Sequence, residues 1–398
     1  MSRSCDILIV GAGIIGLTLA RELVERGHED ILIIEKEADL GRHASGRNSG
    51  VLHAGIYYAP GSLRAVSCLQ GNRMMKEYCR AKDLPLLETG KVIVARSADE
   101  LPTLDELHRR ATENGTPVEF IDEKQLAHIE PSARTVERAL HSPETALVDP
   151  KAVLSSLRRD LEGSGKVSLL TDCTFRGLAS KNVIRTGSGE IGFRYLINAA
   201  GAWCDRVARP FGVGHNYRLI PFKGLYHRLK ESSACQVKGN IYPVPDIRNP
   251  FLGVHFSRSA MGGVYLGPTA IPAFGRENYG LLEGIDAEAP KILYEDAVLF
   301  CTNPKFRSVA LSEPKKYLPS AFHRDAEQLV HKLEPADIEL ADKVGIRAQL
   351  VDWRSREMVM DFLVESGENS LHILNPISPA FTSSMFLARK LVEEYVST

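Results

Sequence analysis

Asp6-Ile7-Leu8-Ile9-Val10-Gly11-Ala12-Gly13-Ile14-Ile15-Gly16 is the stretch that decides how this 398-residue chain is read. Asp6–Val10 is an apolar run of the kind found in a parallel strand covered on both faces. Past the glycines, Ile15, Leu19 and Leu23 recur every four residues and predict a helix with one buried face. Gly27 supplies a stop, and Ile31–Glu35 predicts a second strand. A Gly-x-Gly-x-x-Gly turn inside a strand–helix–strand unit has a physical logic. Gly11 makes the tight turn, Gly13 lets backbone approach a diphosphate, and Gly16 lets helix and strand pack closely. The helix opens at Ile14 and Ile15, where unpaired N–H groups and the helix dipole favour phosphate. Glu35, with Lys36 beside it, follows Gly16 by about 20 residues, where a carboxylate accepts ribose hydroxyls and repels a 2′-phosphate. A glycine-rich turn without a ligand remains the alternative at this point.

Working outward, the length suggests two interwoven domains. Hydrophobic residues at 44% and charged residues at 25% exclude disordered and collagen-like classes. A net charge of −1 gives no field that recruits nucleic acid. The seven cysteines show no Cys-x-x-Cys or zinc spacing, which fits buried thiols in a reducing compartment. No window reaches the roughly 18 apolar residues that span a bilayer. The start carries neither a signal-peptide nor a transit-peptide pattern. The expectation is a bacterial cytoplasmic protein, with any membrane contact peripheral.

The periodicity predicts helices over 62–82, 99–114 and 151–161, helical spacing over 287–333, and a final helix from about Ser383 to Tyr395. Strands are expected at 91–95, 251–256, 263–267, 359–364 and 371–374. The resulting fold class is α/β: a Rossmann-like nucleotide domain with an inserted, mostly antiparallel α+β substrate domain. The nucleotide domain is expected to be discontinuous over 1–80, 145–215 and 340–398, and the substrate domain to cover 81–144 and 216–339.

Between Gly41 and Gly61 runs a long loop, Gly41-Arg42-His43-Ala44-Ser45-Gly46-Arg47-Asn48-Ser49-Gly50-Val51-Leu52-His53-Ala54-Gly55-Ile56-Tyr57-Tyr58 at its heart. Further blocks are Asn198-Ala199-Ala200-Gly201-Ala202-Trp203, Pro221-Phe222-Lys223-Gly224, Tyr242-Pro243-Val244-Pro245-Asp246, Pro250-Phe251-Leu252-Gly253-Val254-His255-Phe256 and Asn375-Pro376-Ile377-Ser378-Pro379-Ala380. With these blocks the whole chain resembles flavoproteins of the D-amino-acid-oxidase superfamily, and more closely the L-2-hydroxyglutarate dehydrogenases. The resemblance implies FAD as cofactor, bound across the Gly11–Gly16 turn. Ser45, Arg47, Asn48, Ser49, Gly50 and Val51 then line the pyrophosphate and isoalloxazine. Ala200, Gly201 and Trp203 bring a second backbone close to the cofactor. Ser378, Pro379, Ala380, Phe381 and Thr382 lead into the final helix, whose N–H groups face the flavin edge where negative charge develops. Thr382-Ser383-Ser384 also reads as an ordinary N-cap.

The implied reaction is oxidation of a 2-hydroxy dicarboxylate, which needs a base near the operating pH and cations for the carboxylates. His255 is the favoured base, in a strand of the inserted domain. His53 positions substrate or tethers the flavin covalently, and either histidine could instead make a structural hydrogen bond. Lys223, Arg258, Arg347 and Arg47 are the candidate cations, and Tyr57 and Tyr242 the candidate hydrogen-bond donors. An amine or amino-acid oxidase of the same superfamily is the competing reading. Lys305, Arg307, Lys315 and Lys316 lie near Phe300, Phe306, Leu311, Tyr317 and Phe322. That mixture reads as an ordinary amphipathic cap or as an edge resting on anionic lipid. The resemblance favours a quinone (or oxygen) as electron acceptor, at the cytoplasmic face of a bacterial inner membrane.

Overall fold

The computed structural model describes residues 3–247 and 251–396. Pro250 of the Pro250–Phe256 block therefore lies outside the described residues. The chain divides into two compact units, Met1–Arg47 with Pro150–Ile220 and Arg347–Thr398, and Asn48–Asp149 with Pro221–Ile346.

In the first unit five parallel strands lie in the order Ser370–Ile373, Gly189–Asn198, Arg3–Val10, Ile31–Ile34 and Val167–Leu170. Ile7 sits opposite Ile31 and Val10 opposite Ile34, so the two strands flanking the glycine turn end side by side. Leu8, Val10, Leu32, Ile34 and Leu196 form the core of one face, closed by Phe193 and Val207. An antiparallel hairpin, Phe175–Ser180 and Val183–Thr186, extends the sheet along Gly189–Asn198. The helix Ile14–Glu25 packs against the helices Pro150–Gly163 and Ala380–Tyr395. Its Thr18 Oγ1 donates to Ser384 O at 3.2 Å.

The second unit is built on a sheet in which Val264–Leu266, Phe256–Arg258, Asn240–Pro243, Lys91–Val94, Arg138–Ser142 and Glu119–Asp122 are neighbours. All pairs are antiparallel except Asn240–Pro243 with Lys91–Val94. Side chains alternate across a strand, so the two faces carry different cores. Val92, Val94, Ile241 and Phe256 pack with Phe322 and Ala326 on one. Ile93 and Tyr242 pack with Ile56, Tyr57, Leu104 and Leu107 on the other. By the same alternation Lys91 belongs to the face of Ile93.

Several expectations are corrected here. The first domain boundary falls after Arg47, not near residue 80. Val51–Leu52 pairs with Ala146–Val148, which also pairs with Leu86–Leu87. The helix Leu63–Ala81 joins them through Lys76 Nζ and Glu144 Oε2 at 2.8 Å, so residues 48–80 and 145–149 belong to the second unit. The later crossings, expected near 215 and 339, fall after Ile220 and Ile346, inside the strands Tyr217–Leu229 and Ile338–Asp352. The strand expected at 251–256 is only Phe256–Arg258, because Gly253 adopts φ +75°, outside extended backbone. His255 therefore precedes the strand. The strand expected at 359–364 is replaced by Val364–Gly367, since Asn375 Nδ2 takes the carbonyls of Val359 at 3.1 Å and Asp361 at 2.7 Å. The final helix begins at Ala380, directly after Pro379. Ser383 N–H already bonds Pro379 O at 2.9 Å, so Thr382-Ser383-Ser384 lies inside the first turns and not at the cap.

Candidate active site

In the first unit the glycine turn is shaped by close backbone approach. Gly11 has φ +106°, and a Cβ there would lie 2.6 Å from Ala199 O at the end of the neighbouring strand. A Cβ on Gly16 would lie 2.0 Å from Gly11 O, and one on Gly13 would lie 2.9 Å from Ser45 Oγ. Ser45 Oγ in turn accepts the Ile14 N–H at 2.9 Å, while Ile15 is buried in the first helical turn. Glu35 stands one residue past its strand. Its Oε2 accepts the Ala12 N–H at 2.9 Å and its Oε1 the Glu37 N–H at 3.1 Å. Each oxygen keeps a second lone pair for a hydroxyl. Lys36 is engaged elsewhere, paired with Glu37. Lys36 and then His43, 2.8 Å away, hold the Glu37 carboxyl down at about 2. Arg47 Nε donates to Arg42 O at 2.6 Å.

The second backbone of this unit is equally fixed. Asn198 accepts the Ala200 N–H at 3.2 Å and donates to Cys204 O at 2.8 Å. Gly201–Trp203 follows as a single tight turn, with Trp203 N–H on Ala200 O at 3.0 Å. Ser378 and Pro379 precede the final helix, and Ala380 N–H bonds Ile377 O at 2.8 Å. Phe381 and Thr382 occupy its first turn. Arg347 is half-buried at the first residue of this unit's last segment. A turn that no side chain could enter, with a carboxylate at the end of the next strand, fits a dinucleotide. The donor set fits FAD.

Asn48, Ser49, Gly50 and Val51 belong to the second unit. Asn48 Oδ1 accepts the Gly50 N–H at 2.8 Å, and Ser49 Oγ accepts the Val51 N–H at 3.5 Å. Here the structure gathers His53, Tyr57, Tyr242 and His255, all buried. The His255 and Tyr242 rings stack with centroids 3.9 Å apart. His255 Nδ1 lies 2.9 Å from Gly253 O, a contact that assigns the proton to Nδ1 and leaves the Nε2 lone pair available. Burial, and then the charge of Lys91, pushes His255 down to about 4, so its imidazole is neutral near pH 7. Burial also pushes His53 well below its ordinary value, helped by Lys91, His255 and Arg64. The Tyr57 hydroxyl has no hydrogen-bond partner among the described residues, and that of Tyr242 meets Ser257 Oγ at 3.5 Å.

Two of the expected substrate cations also lie in this unit. Lys223 is buried but donates to Gly280 O at 2.6 Å, which ties it to a neighbouring loop. Arg258 ends its short strand exposed, two residues beyond the buried Phe256 on the same side of the pleat. The basic edge is also redrawn. Phe306 and Phe322 are core residues. Arg307 caps the helix Ala289–Thr302 by donating to Phe300 O at 2.7 Å and Cys301 O at 2.9 Å. Lys316 pairs with Glu313 and Asp325. Lys305, Lys315, Leu311 and Tyr317 remain exposed, with Leu281, Leu282, Tyr294 and Leu318. No helix among the described residues is long and apolar enough to cross a membrane.

Sequence reading missed the residues that make the His53–Tyr58 loop rigid. Asn72 Nδ2 donates to Leu52 O at 3.0 Å and His53 O at 3.1 Å. Thr116 Oγ1 takes Ala54 O at 2.6 Å, Asn114 Nδ2 takes Gly55 O at 3.4 Å and Tyr58 O at 3.2 Å, and Arg110 takes Tyr57 O at 3.0 Å. It also missed Lys91, whose signal was a cation heading the apolar run Val92-Ile93-Val94.

Residues 6–394 match the family described as FAD dependent oxidoreductase. The chain is 35% identical to the human mitochondrial L-2-hydroxyglutarate dehydrogenase, over 99% of this chain and 89% of the human one. It is 32% identical to the L-2-hydroxyglutarate dehydrogenase of Indibacter alkaliphilus, over 98% of each. Among solved structures it resembles FAD-bound L-alpha-glycerophosphate oxidase from Mycoplasma pneumoniae, with TM-score 0.78, 18% identity and coverage of 98% and 94%. Glycine oxidase from Geobacillus kaustophilus follows with TM-score 0.71, 19% identity and coverage of 99% and 94%. These two likenesses carry the fold alone. The chain belongs to the FAD-dependent oxidoreductases and, within them, to the family of the L-2-hydroxyglutarate dehydrogenases.

Proposed function

We propose that this protein oxidises L-2-hydroxyglutarate to 2-oxoglutarate, with FAD as its redox cofactor. The observation that carries this is full-length identity above 30% to animal and bacterial dehydrogenases of that name. Bound FAD supplies the acceptor for the two electrons and the hydrogen that leave the carbinol carbon. Gly11, Gly13 and Gly16 would admit its diphosphate, with Ile14 and Ile15 opening the helix beneath it. Glu35 would hold its ribose hydroxyls.

His255 is the residue to take the hydroxyl proton. It is neutral near pH 7, it is held by Gly253 O in the tautomer that leaves Nε2 basic, and its ring is fixed against Tyr242. His53 is a second neutral imidazole, on a loop whose carbonyls are pinned from two helices, and it positions the substrate. The unpartnered Tyr57 hydroxyl donates to the oxygen that becomes the ketone. Electrons then pass to membrane quinone or to oxygen. The exposed Leu281, Leu282, Tyr294, Leu311 and Leu318, with Lys305 and Lys315 close in sequence, support peripheral contact with the cytoplasmic face of a bacterial inner membrane.

The test is an anaerobic titration of the purified flavoprotein with each enantiomer of 2-hydroxyglutarate, followed by visible absorbance. The L enantiomer is expected to bleach the flavin band. Bleaching by glycine, sarcosine or D-amino acids instead would replace this reading with an amine or amino-acid oxidase.

A further inference from the structure

Lys91 heads the strand Lys91–Val94 and is 1% exposed. Among the described residues its Nζ has no hydrogen-bond partner and no carboxylate pairs with it. It lies instead 4.5 Å from the ring centroid of Tyr57 and 5.0 Å from that of Tyr242. The Tyr242 ring is the one on which His255 stacks. A buried ammonium loses its hydration, and two tyrosine faces return only part of that loss. An apolar side chain of similar length would fill the same space at lower cost, as Val92 and Val94 do on the opposite face. The fold gives no reason to keep a cation there. An arriving anion does.

Resting on the substrate reading above, we infer that Lys91 Nζ is the cation that receives a carboxylate of the 2-hydroxy acid, beside the imidazole that takes its hydroxyl proton. The surrounding charges agree in sign. Besides Lys91, the ionisable groups facing this cluster include His53, His255, Arg64, Cys68, Tyr57, Tyr242, Tyr58 and Tyr226. Burial holds the histidines neutral and pushes the Cys68 thiol up to about 12. Arg64, its guanidinium over the Tyr58 ring at 4.5 Å, adds a second positive charge. Burial pulls Lys91 down to about 7. A carboxylate on Nζ favours the ammonium and screens its charge from His255, which makes that imidazole a stronger base once substrate is in place.

The test uses FAD-loaded Lys91→Met, an apolar residue of similar length. Flavin absorbance is titrated anaerobically with 2-oxoglutarate and with L-2-hydroxyglutarate, and thermal unfolding is followed in parallel. The expected result is a Kd for 2-oxoglutarate raised about 10- to 100-fold. The half-saturation for flavin reduction should rise with it, and the thermal midpoint should be unchanged or higher. Lys91→Arg, which keeps the cation, should recover part of the affinity. Unchanged affinity with a lowered midpoint would mark a structural lysine and overturn the inference. If L-2-hydroxyglutarate leaves the wild-type flavin oxidised while 2-oxoglutarate binds in a Lys91-dependent way, the substrate reading falls and the anion site stands. Wild-type protein that binds no dicarboxylate overturns both.

Discussion

At Gly11–Gly16 the chemistry depends on what is missing. Three side chains are absent, and two backbone oxygens and the Ser45 hydroxyl come closer than any Cβ would allow. Around Lys91 the reverse holds. Two tyrosine rings, two histidines, an arginine and a lysine crowd one buried place in the second unit, and one of its two cations has nothing to bond. The first region spends little stability because its strain falls on glycine. The second gives up stability to hold charge and polar groups ready for a ligand, as functional sites commonly do.

The sharpest way to break this contrast is at the turn. Gly11→Val meets Ala199 O and a left-handed φ together, so we expect protein that purifies without yellow colour or is lost to the insoluble fraction. A fully loaded variant would show that the turn is not the cofactor cradle. In the cluster, His255→Ala should slow anaerobic flavin reduction about 10²- to 10⁴-fold while FAD stays bound. Rates equal to wild type would remove it as base. Asn72→Ala strips the Leu52, His53 and Glu144 carbonyls of a donor, which should lower stability by about 1–3 kcal/mol and reduce the limiting reduction rate more than cofactor content. Unaltered stability would mean the loop is held from its other side. Glu35→Ala should weaken FAD retention more than it alters substrate preference, measured as flavin lost on dialysis.

The smallest effect is one of pH. Lys91 releases its proton near 7 when folded and near its ordinary 10.5 when unfolded. Between those values the unfolded chain holds more protons, so wild-type stability rises with pH by at most about 1.4 kcal/mol per unit from this group. The excess stability of Lys91→Met over wild type should therefore shrink from pH 7 toward pH 10. A constant difference would mean Lys91 is not buried as an unpaired amine.

The two regions were unequally legible in sequence for the same reason. The turn is local: Gly11, Gly13, Gly16 and Glu35 lie within one supersecondary unit, and period and spacing specify it. The cluster is assembled from residues 53, 57, 91, 242 and 255, and no local rule joins them. Family-specific blocks pointed to His53, His255, Tyr57 and Tyr242, but the same blocks also pointed to Lys223 and Arg258. Lys223 bonds the Gly280 carbonyl, and Arg258 stands exposed at the end of its strand. What separates them from Lys91 is the pleat, which sets which face a strand residue occupies. That depends on pairing Tyr242 with Ile93, information absent from either segment alone. The first domain boundary was misplaced for a related reason: residues 48–80 join the second unit by pairing with Ala146–Val148, a partner about a hundred residues away along the chain.

Six of the seven thiols are buried, and Cys301 alone is exposed, near the end of the helix Ala289–Thr302 beside Phe300. The native chain thus carries one addressable handle for maleimide chemistry, on the edge proposed to touch lipid. An environment-sensitive dye attached there would brighten on anionic vesicles only if that edge enters the interface, and it leaves both the turn and the cluster unmodified.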